Sequence, residues 1–374
     1  MLLTVKNYAI LLKNPIKRDD IMETKIRESK KEQKVLSRQK IDETLSTLRK
    51  LDDNIWLMEY KCSYGLDALL EKGVSNIMDA VVFLQKEIQL PHLYANVFHP
   101  GAGCSTFNAR TEEGQFILGR NFDYKAAPCV VCWTAPENGY RSMAVIDTTF
   151  GAYGTKYLSF RNKDKPLRFM AAPYIGMDGI NEKGFSCAVL EIKSKATKQK
   201  TGKKPIITTV AIRAALDKCA TVDEAINLFA SFDMHDSLFI NYHYQLADAS
   251  GKSAIIEYVD NKMYVIEQKK ENDNLILTNY FLTPGGDNHD GRGYDRYEKI
   301  EKRLQLTDGK ISEKDAMKLL SECVLHYRHP ALKHMVITLW SAVYNCNEKS
   351  MLLSAGMDYS KQYKLYVDKP CEVF

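Results

Sequence analysis

The sequence predicts a layered α+β fold whose sheets are antiparallel, not doubly wound and parallel. Three observations carry this reading. Beyond residue 123, short apolar runs recur at Val130–Trp133, Ser142–Asp147, Arg168–Ala172, Ser186–Ile192, Tyr242–Ala247, Ala254–Tyr258, Met263–Glu267 and Leu275–Thr278. Tight glycine-bearing connections at Gly179–Gly184 and Ser250-Gly251-Lys252 suit hairpins. Helical stretches at 206–218, 222–230, 294–305 and 312–325 interrupt the strands instead of alternating with them one for one. No internal repeat or low-complexity tract is present.

In chain order, residues 1–16 have no clear period. Residues 17–51 are rich in Lys, Glu, Arg, Gln and Leu, and predict helix. Ile55–Tyr60 is a short apolar segment closed by Cys62-Ser63-Tyr64-Gly65. Leu66–Gln89 holds two helical stretches split at Gly73, the second with Ile77, Val81, Val82 and Leu84 on one side. Pro91 ends it, and Pro100-Gly101 marks a boundary. A mostly helical leader over 1–103 is therefore expected to precede a second unit over 104–374.

That second unit opens on the stretch that organises the chain, Gly101 to Asp123. Thr106, Asn108 and Arg110 alternate with Phe107 and Ala109, the pattern of a half-buried strand. Glu113-Gly114 is a turn signal, and Gln115–Gly119 returns as a second strand. The hairpin brings Arg120, Asn121 and Asp123 back beside Cys104, so a thiol, a guanidinium and a carboxylate converge at one end. Further on, Thr221 with Glu224 forms a capping box before Val222–Ala230. The tail returns to strands at Val336–Tyr344, Met351–Ala355 and Tyr363–Val367.

Composition excludes more than it assigns. The chain has 374 residues, 45% hydrophobic and 26% charged, as ordinary globular proteins do. Its net charge of +5 sits in the first 50 residues, which hold 13 Lys/Arg against 7 Asp/Glu. Because the signs are interspersed, this head reads as a solvated helix and not as a nucleic-acid or membrane arm. No signal peptide is expected, since Lys6 breaks the apolar start, and no run approaches the roughly 18 apolar residues of a membrane span. Nine cysteines without framework spacing fit a reducing cytoplasm. Cys129-Val130-Val131-Cys132 reads as two buried strand thiols, not as a metal or redox pair. No metal or other cofactor is expected; a homo-oligomer is left open.

Cysteine attacks carbonyls as thiolate, and a thiol of pKa about 8.5 needs a cationic neighbour or a base. Arg120 is placed to supply the first. Of the eight histidines, His99 lies upstream of the glycines, while His243 and His334 sit in strand-like surroundings as satisfied structural residues. The alternative base is the α-amine released if the peptide before Cys104 is cut, with a pKa of about 7.7–8.0. Gly103 leaves that bond sterically open.

Gly103-Cys104-Ser105-Thr106 followed by Gly119-Arg120-Asn121-Phe122-Asp123-Tyr124 resembles the start of the choloylglycine hydrolase group of N-terminal-nucleophile (Ntn) hydrolases. That group includes bile salt hydrolases and penicillin V acylases, with acid ceramidase and N-acylethanolamine acid amidase as relatives. The resemblance continues through Asp178–Phe185, His243–Glu257, Leu277-Thr278-Asn279, Asp295-Arg296-Tyr297 and Thr338–Tyr344, so it covers residues 104–374. It implies a four-layer αββα sandwich and an enzyme cleaving linear, non-peptide amide C–N bonds of small N-acyl substrates. It also implies roles. Cys104 is nucleophile and, through its amine, base; Asp123 holds the amine; Asn279 donates to the oxyanion; Arg120 and Arg296 support the thiol. Where bile salt hydrolases carry an asparagine, this chain has Glu191 after Leu190, which leaves that position the weakest match. Tyr60–Asp67 resembles the leader of the ceramidase and amidase branch, which implies self-cleavage between Gly103 and Cys104. An acyltransferase on the same scaffold and an uncut lipid- or steroid-binding protein are the competing functions.

Overall fold

The computed structural model describes residues 38–87, 103–148, 166–236, 240–270, 273–288, 292–329 and 334–374. The basic residues 1–37, Pro91, His99 and Pro100-Gly101 lie outside them. Two sheets lie face to face with helices outside, the α+β sandwich the sequence predicts.

Before Gly103 come α1 (Arg38–Ser46), β1 (Arg49–Lys50), β2 (Ile55–Tyr60), α2 (Leu66–Lys72) and α3 (Ile77–Glu87). The Ile55–Tyr60 segment is more than a connector within the helical leader. As β2 it pairs with β1 on one side and, in parallel, with β5 (Cys129–Thr134) on the other. Ile55, Leu57 and Met58 are fully buried, so residues ahead of Gly103 complete one sheet of the core. Cys129 and Cys132 both lie buried on β5, and burial pushes both thiols up.

The first sheet continues through β6 (Ser142–Asp147), β7 (Gly176–Asn181), β8 (Ser186–Lys195), β11 (Ile240–Ala247), β12 (Ser253–Val259) and β13 (Lys262–Glu267), making nine strands. Its β2/β5 pair is the one parallel junction; every other described pairing in both large sheets is antiparallel. The second sheet holds β14 (Ile276–Leu277), β3 (Gly103–Arg110), β4 (Phe116–Lys125), β16 (Met335–Asn345), β17 (Ser350–Ala355) and β18 (Tyr363–Tyr366), with β15 (His326–Arg328) on β16. A two-stranded parallel ribbon joins β9 (Pro205–Ile207) and β10 (Asp233–His235).

On the nine-stranded side lie α4 (Thr208–Lys218) and α5 (Val222–Ala230); on the other lie α6 (Tyr294–Leu306) and α7 (Glu313–Ser321). The capping box at α5 forms as read: Thr221 Oγ1 accepts the Glu224 N–H at 3.2 Å, and Glu224 reaches back to the Ala220 N–H.

Arg168–Ala172 departs from expectation, being part of a 3₁₀ helix, Pro166–Tyr174, and not a strand. Its flanking prolines have no ladder donor, and their fixed φ suits helical turns. The strand β3 is buried on both faces, not one, because its inner face meets β8 and β11 while α6 covers the outer. Gly119 is required by space, since a Cβ there would stand 2.6 Å from the Phe107 ring.

Candidate active site

The β3/β4 register sets the site. Gly103 lies opposite Asp123, Cys104 opposite Phe122, and Thr106 opposite Arg120. Residues opposite one another share a face, and faces alternate along each strand. Cys104, Thr106, Arg120 and Phe122 therefore point inward to the nine-stranded sheet, while Gly103 and Asp123 point to the helical side. The hairpin does bring thiol, guanidinium and carboxylate together, but on two sides of one sheet.

This parity determines the ion pairs. On the inner face Arg120 Nε donates to Asp178 Oδ2 at 3.0 Å, both side chains fully buried. Asp178 also accepts from Trp340 Nε1 at 3.1 Å and from the Tyr344 hydroxyl. Phe122, stacked on Trp340 at 4.2 Å, lies 5.1 Å from the guanidinium. With Nε committed to Asp178, the two terminal nitrogens of Arg120 have no hydrogen-bond partner among the described residues, and the charge of Arg120 favours the Cys104 thiolate.

On the outer face Asp123 Oδ1 accepts from Thr338 Oγ1 at 2.5 Å, and its Oδ2 lies 3.5 Å from Arg296 Nη1. Arg296 belongs to the buried stripe of α6 with Ile300 and Leu304, unlike the basic residues Lys299 and Lys302 further along that helix. Its Nη1 also donates to the Cys104 carbonyl, and its Nη2 donates to Asn279 Oδ1 at 2.7 Å.

Asn279 closes the constellation from the segment after β14. Its Oδ1 accepts the Cys104 backbone N–H at 2.8 Å, and its Nδ2 donates to the Glu191 carbonyl at 2.8 Å. Donors on one side and a carbonyl on the other fix the orientation of the amide. One Nδ2 hydrogen is spent on Glu191 and one is left. Glu191 thus meets Asn279 through its carbonyl, while its carboxylate pairs with Arg292 at 3.3 Å.

Burial pushes the Cys104 thiol above its ordinary value; Arg120 opposes this and Asp123 adds to it, while a backbone hydrogen bond from Asp123 and the charge of Arg296 favour the thiolate. Burial likewise raises Asp123, against the pull of Arg296 and the Thr338 hydroxyl. Burial thus favours the protonated thiol, while the charges of Arg120 and Arg296 favour the thiolate.

The structure brings Cys104, Arg120, Asp123, Asn279, Arg296 and, through its backbone, Glu191 into one buried cluster. His243 is buried against Glu257 and His334 stacks on His329, both away from the thiol's contacts. Asp178 and Thr338 are partners that the sequence reading left without roles. Charge balance is the signal that points to the first: two buried arginines need two buried carboxylates, and the hairpin holds one. Among the described residues, no group of three or more His, Cys, Asp or Glu side chains could hold a metal ion.

The family profile described as acyl-coenzyme A:6-aminopenicillanic acid acyl-transferase matches residues 109–358. A penicillin V acylase of Pectobacterium atrosepticum is 38% identical over 103 residues, which are 25% of this chain and 27% of that protein. The matched region is thus about a quarter of the length of that curated relative. Two crystal structures of variants of a conjugated bile acid hydrolase from Clostridium perfringens superpose with a TM-score of 0.51 at 14% identity, covering 72% of this chain and 96% of theirs. Likeness at that identity is one of fold, and the fold is the Ntn-hydrolase sandwich.

Proposed function

The chain belongs to the acyl-coenzyme A:6-aminopenicillanic acid acyl-transferase family, and from that premise we propose that it is an amidohydrolase of linear N-acyl amides working through Cys104 as an N-terminal nucleophile. One observation carries the reading: the backbone N–H of Cys104 is held by Asn279, and its carbonyl by Arg296, within a buried cluster that also contains Arg120 and Asp123. Such a grip on both sides of one residue's backbone fits a peptide nitrogen that becomes a working amine.

The uncut chain first cleaves itself at Gly103–Cys104. The Cys104 thiol attacks the Gly103 carbonyl carbon, the C–N bond breaks, and the nitrogen, taking the thiol proton, leaves as the α-amine; water then hydrolyses the resulting thioester to give a Gly103 carboxylate and a free thiol. Glycine is needed at 103 because a Cβ would stand 2.2 Å from Leu325 Cδ1 and 2.9 Å from Asp123 Oδ2. Leu325 can turn aside, but Asp123 is pinned by Thr338 and Arg296. Gly103→Ala is therefore expected to slow cleavage roughly 5- to 150-fold, as overpacking strain of about 1–3 kcal/mol does. The time course of fragment appearance by intact mass measures it, and an unchanged rate contradicts the assignment.

In turnover the freed amine takes the thiol proton, and the thiolate attacks the amide carbonyl. The oxyanion takes the second Nδ2 hydrogen of Asn279, and the α-ammonium returns its proton to the departing amine. Water, deprotonated by the same amine, releases the acid from the thioester. Arg120→Lys keeps the charge but loses the planar fork bonded to Asp178. A loss of about 10- to 150-fold in kcat/KM is expected, the worth of one charge-assisted hydrogen bond, and Arg120→Ala loses more.

The named relatives point to penicillin-type or bile-acid-type amides; fatty amides stand beside them only through the resemblance of Tyr60–Asp67 to the amidase-branch leader. A second reading is favoured by the family description itself, in which the acyl group passes to an amine in place of water. Intact mass with N-terminal sequencing, then an amide panel with and without an added amine acceptor, tests both. A chain that stays whole and inert fits the uncut binding protein instead. All nine cysteines are free, which suits a reducing cytoplasm.

A further inference from the structure

Behind the site lies a buried pair that takes no part in the chemistry above. His243 on β11, one residue before Tyr244, and Glu257 on β12, one residue after Ile256, stand next to the Tyr244–Ile256 pair and are both fully buried. His243 Nδ1 lies 3.1 Å from Glu257 Oε1, and its Nε2 lies 2.7 Å from the Thr278 carbonyl. Glu257 also accepts the backbone N–H groups of Leu282 at 3.0 Å and Thr283 at 2.8 Å. Both ring nitrogens face acceptors, Glu257 on one side and the Thr278 carbonyl on the other, so an N–H on Nε2 donates to Thr278.

These bonds bracket Asn279. The ladder of β14 ends at Leu277, and residues 278–283 run on without strand pairing. The Thr278 carbonyl belongs to the peptide whose nitrogen is that of Asn279, so His243 fixes the plane from which the Asn279 side chain departs. Glu257 fixes the far end of the same segment. We propose that Glu257 and His243 are positioning residues for the reaction at Cys104, holding the Asn279 amide where the Cys104 nitrogen and the oxyanion need it. The inference deepens the reading of Asn279 and rests on it.

Energetics argue against a stabilising role alone. A fully buried polar pair seldom adds stability over well-packed apolar side chains of similar volume. An apolar pair would join β11 to β12 equally well. It could not accept two N–H groups and donate to a carbonyl in an irregular segment.

Reach provides the test. In the full chain, processed at Cys104, turnover of a chromogenic N-acyl anilide is compared among His243→Phe, His243→Asn and His243→Gln. The glutamine amide extends to the position of Nε2 and can donate to the Thr278 carbonyl; the asparagine amide stops at that of Nδ1. The phenylalanine and asparagine variants are expected to lose about 10²-fold in kcat, the effect of a misplacement near 1 Å, with KM little changed. The glutamine variant is expected to recover most of it. Equal turnover in all three, or losses that track only the fraction of folded protein, overturns the proposal. Should His243→Phe fail to fold, Glu257→Gln, which keeps the volume and one acceptor oxygen, decides: lowered kcat at constant KM supports the role and parental kcat refutes it. Asn279→Ala separates the two layers of argument. Full activity there overturns the role of Asn279 itself, whereas impaired Asn279→Ala beside active His243→Phe overturns the relay alone.

Discussion

Cys104→Ala stays a single 374-residue chain and turns over no amide. Both losses follow from one atom. In the proposed reaction Sγ is the nucleophile in the cut and in catalysis, and Cys323, which also feels the charges of Asp123 and Arg296, belongs to the separate core under α6 and α7 and does not replace it. Alanine fills less volume than cysteine in a site 1% exposed, and the change removes no hydrogen-bond partner from Asn279 or Arg296, which hold backbone atoms. The variant should therefore fold as the parent does. Intact mass shows one species where the parent gives two, the larger beginning at Cys104. Serine in the same place is a weaker but informative change, leaving a hydroxyl whose proton is harder to remove. If the alanine variant is cut at the same bond, another agent does the cutting and the self-processing reading falls.

Asp123→Asn is expected to lower turnover by about 10²- to 10⁴-fold, the range of general acid–base catalysis. Asp123 stands on the helical side of the hairpin beside Gly103, between Thr338 and Arg296. A carboxylate there favours the charged form of the new α-amine, which must be charged to protonate the leaving group and neutral to activate the thiol. Asparagine keeps the shape but not the charge, leaves Arg296 unbalanced, and lowers the amine's pKa. The loss should therefore be steepest on the alkaline side, where protonated amine is scarcest. Separating this from cleavage requires a chain cut by an added sequence-specific protease directly before Cys104. Full activity with an unchanged pH profile would leave Asp123 a structural partner of Arg296.

The hairpin was legible in the sequence because alternation and a Glu113-Gly114 turn are local, and local signals survive folding. The pairing of its charges was not. Arg120 and Asp123 are neighbours in sequence, yet an odd spacing of three on a strand sends them to opposite faces. Their partners come from 58 residues away for Arg120, at Asp178, and 173 residues away for Asp123, at Arg296. Periodicity located α6 but could not tell which of its basic residues is buried; the Arg296, Ile300, Leu304 stripe decides that. Arg168–Ala172 failed as a strand because a five-residue apolar run between prolines has no period of its own. Ile55–Tyr60 passed as a minor segment because its meaning lies in β5, far along the chain.

That strand has a consequence for the order of events in the life of the molecule. Six residues of β2 lie in register with six of β5, and the bond between Gly103 and Cys104 falls between them in sequence. While that bond is whole, the two strands meet at the high effective concentration of one tethered chain. Once it is cut they are separate solutes, and their reunion after denaturation becomes bimolecular, so the stability of the cut form depends on protein concentration where that of the uncut chain does not. On the proposed reading folding therefore comes first and cutting second. The chemistry that would switch the enzyme on would also erase the covalent instruction by which it was assembled.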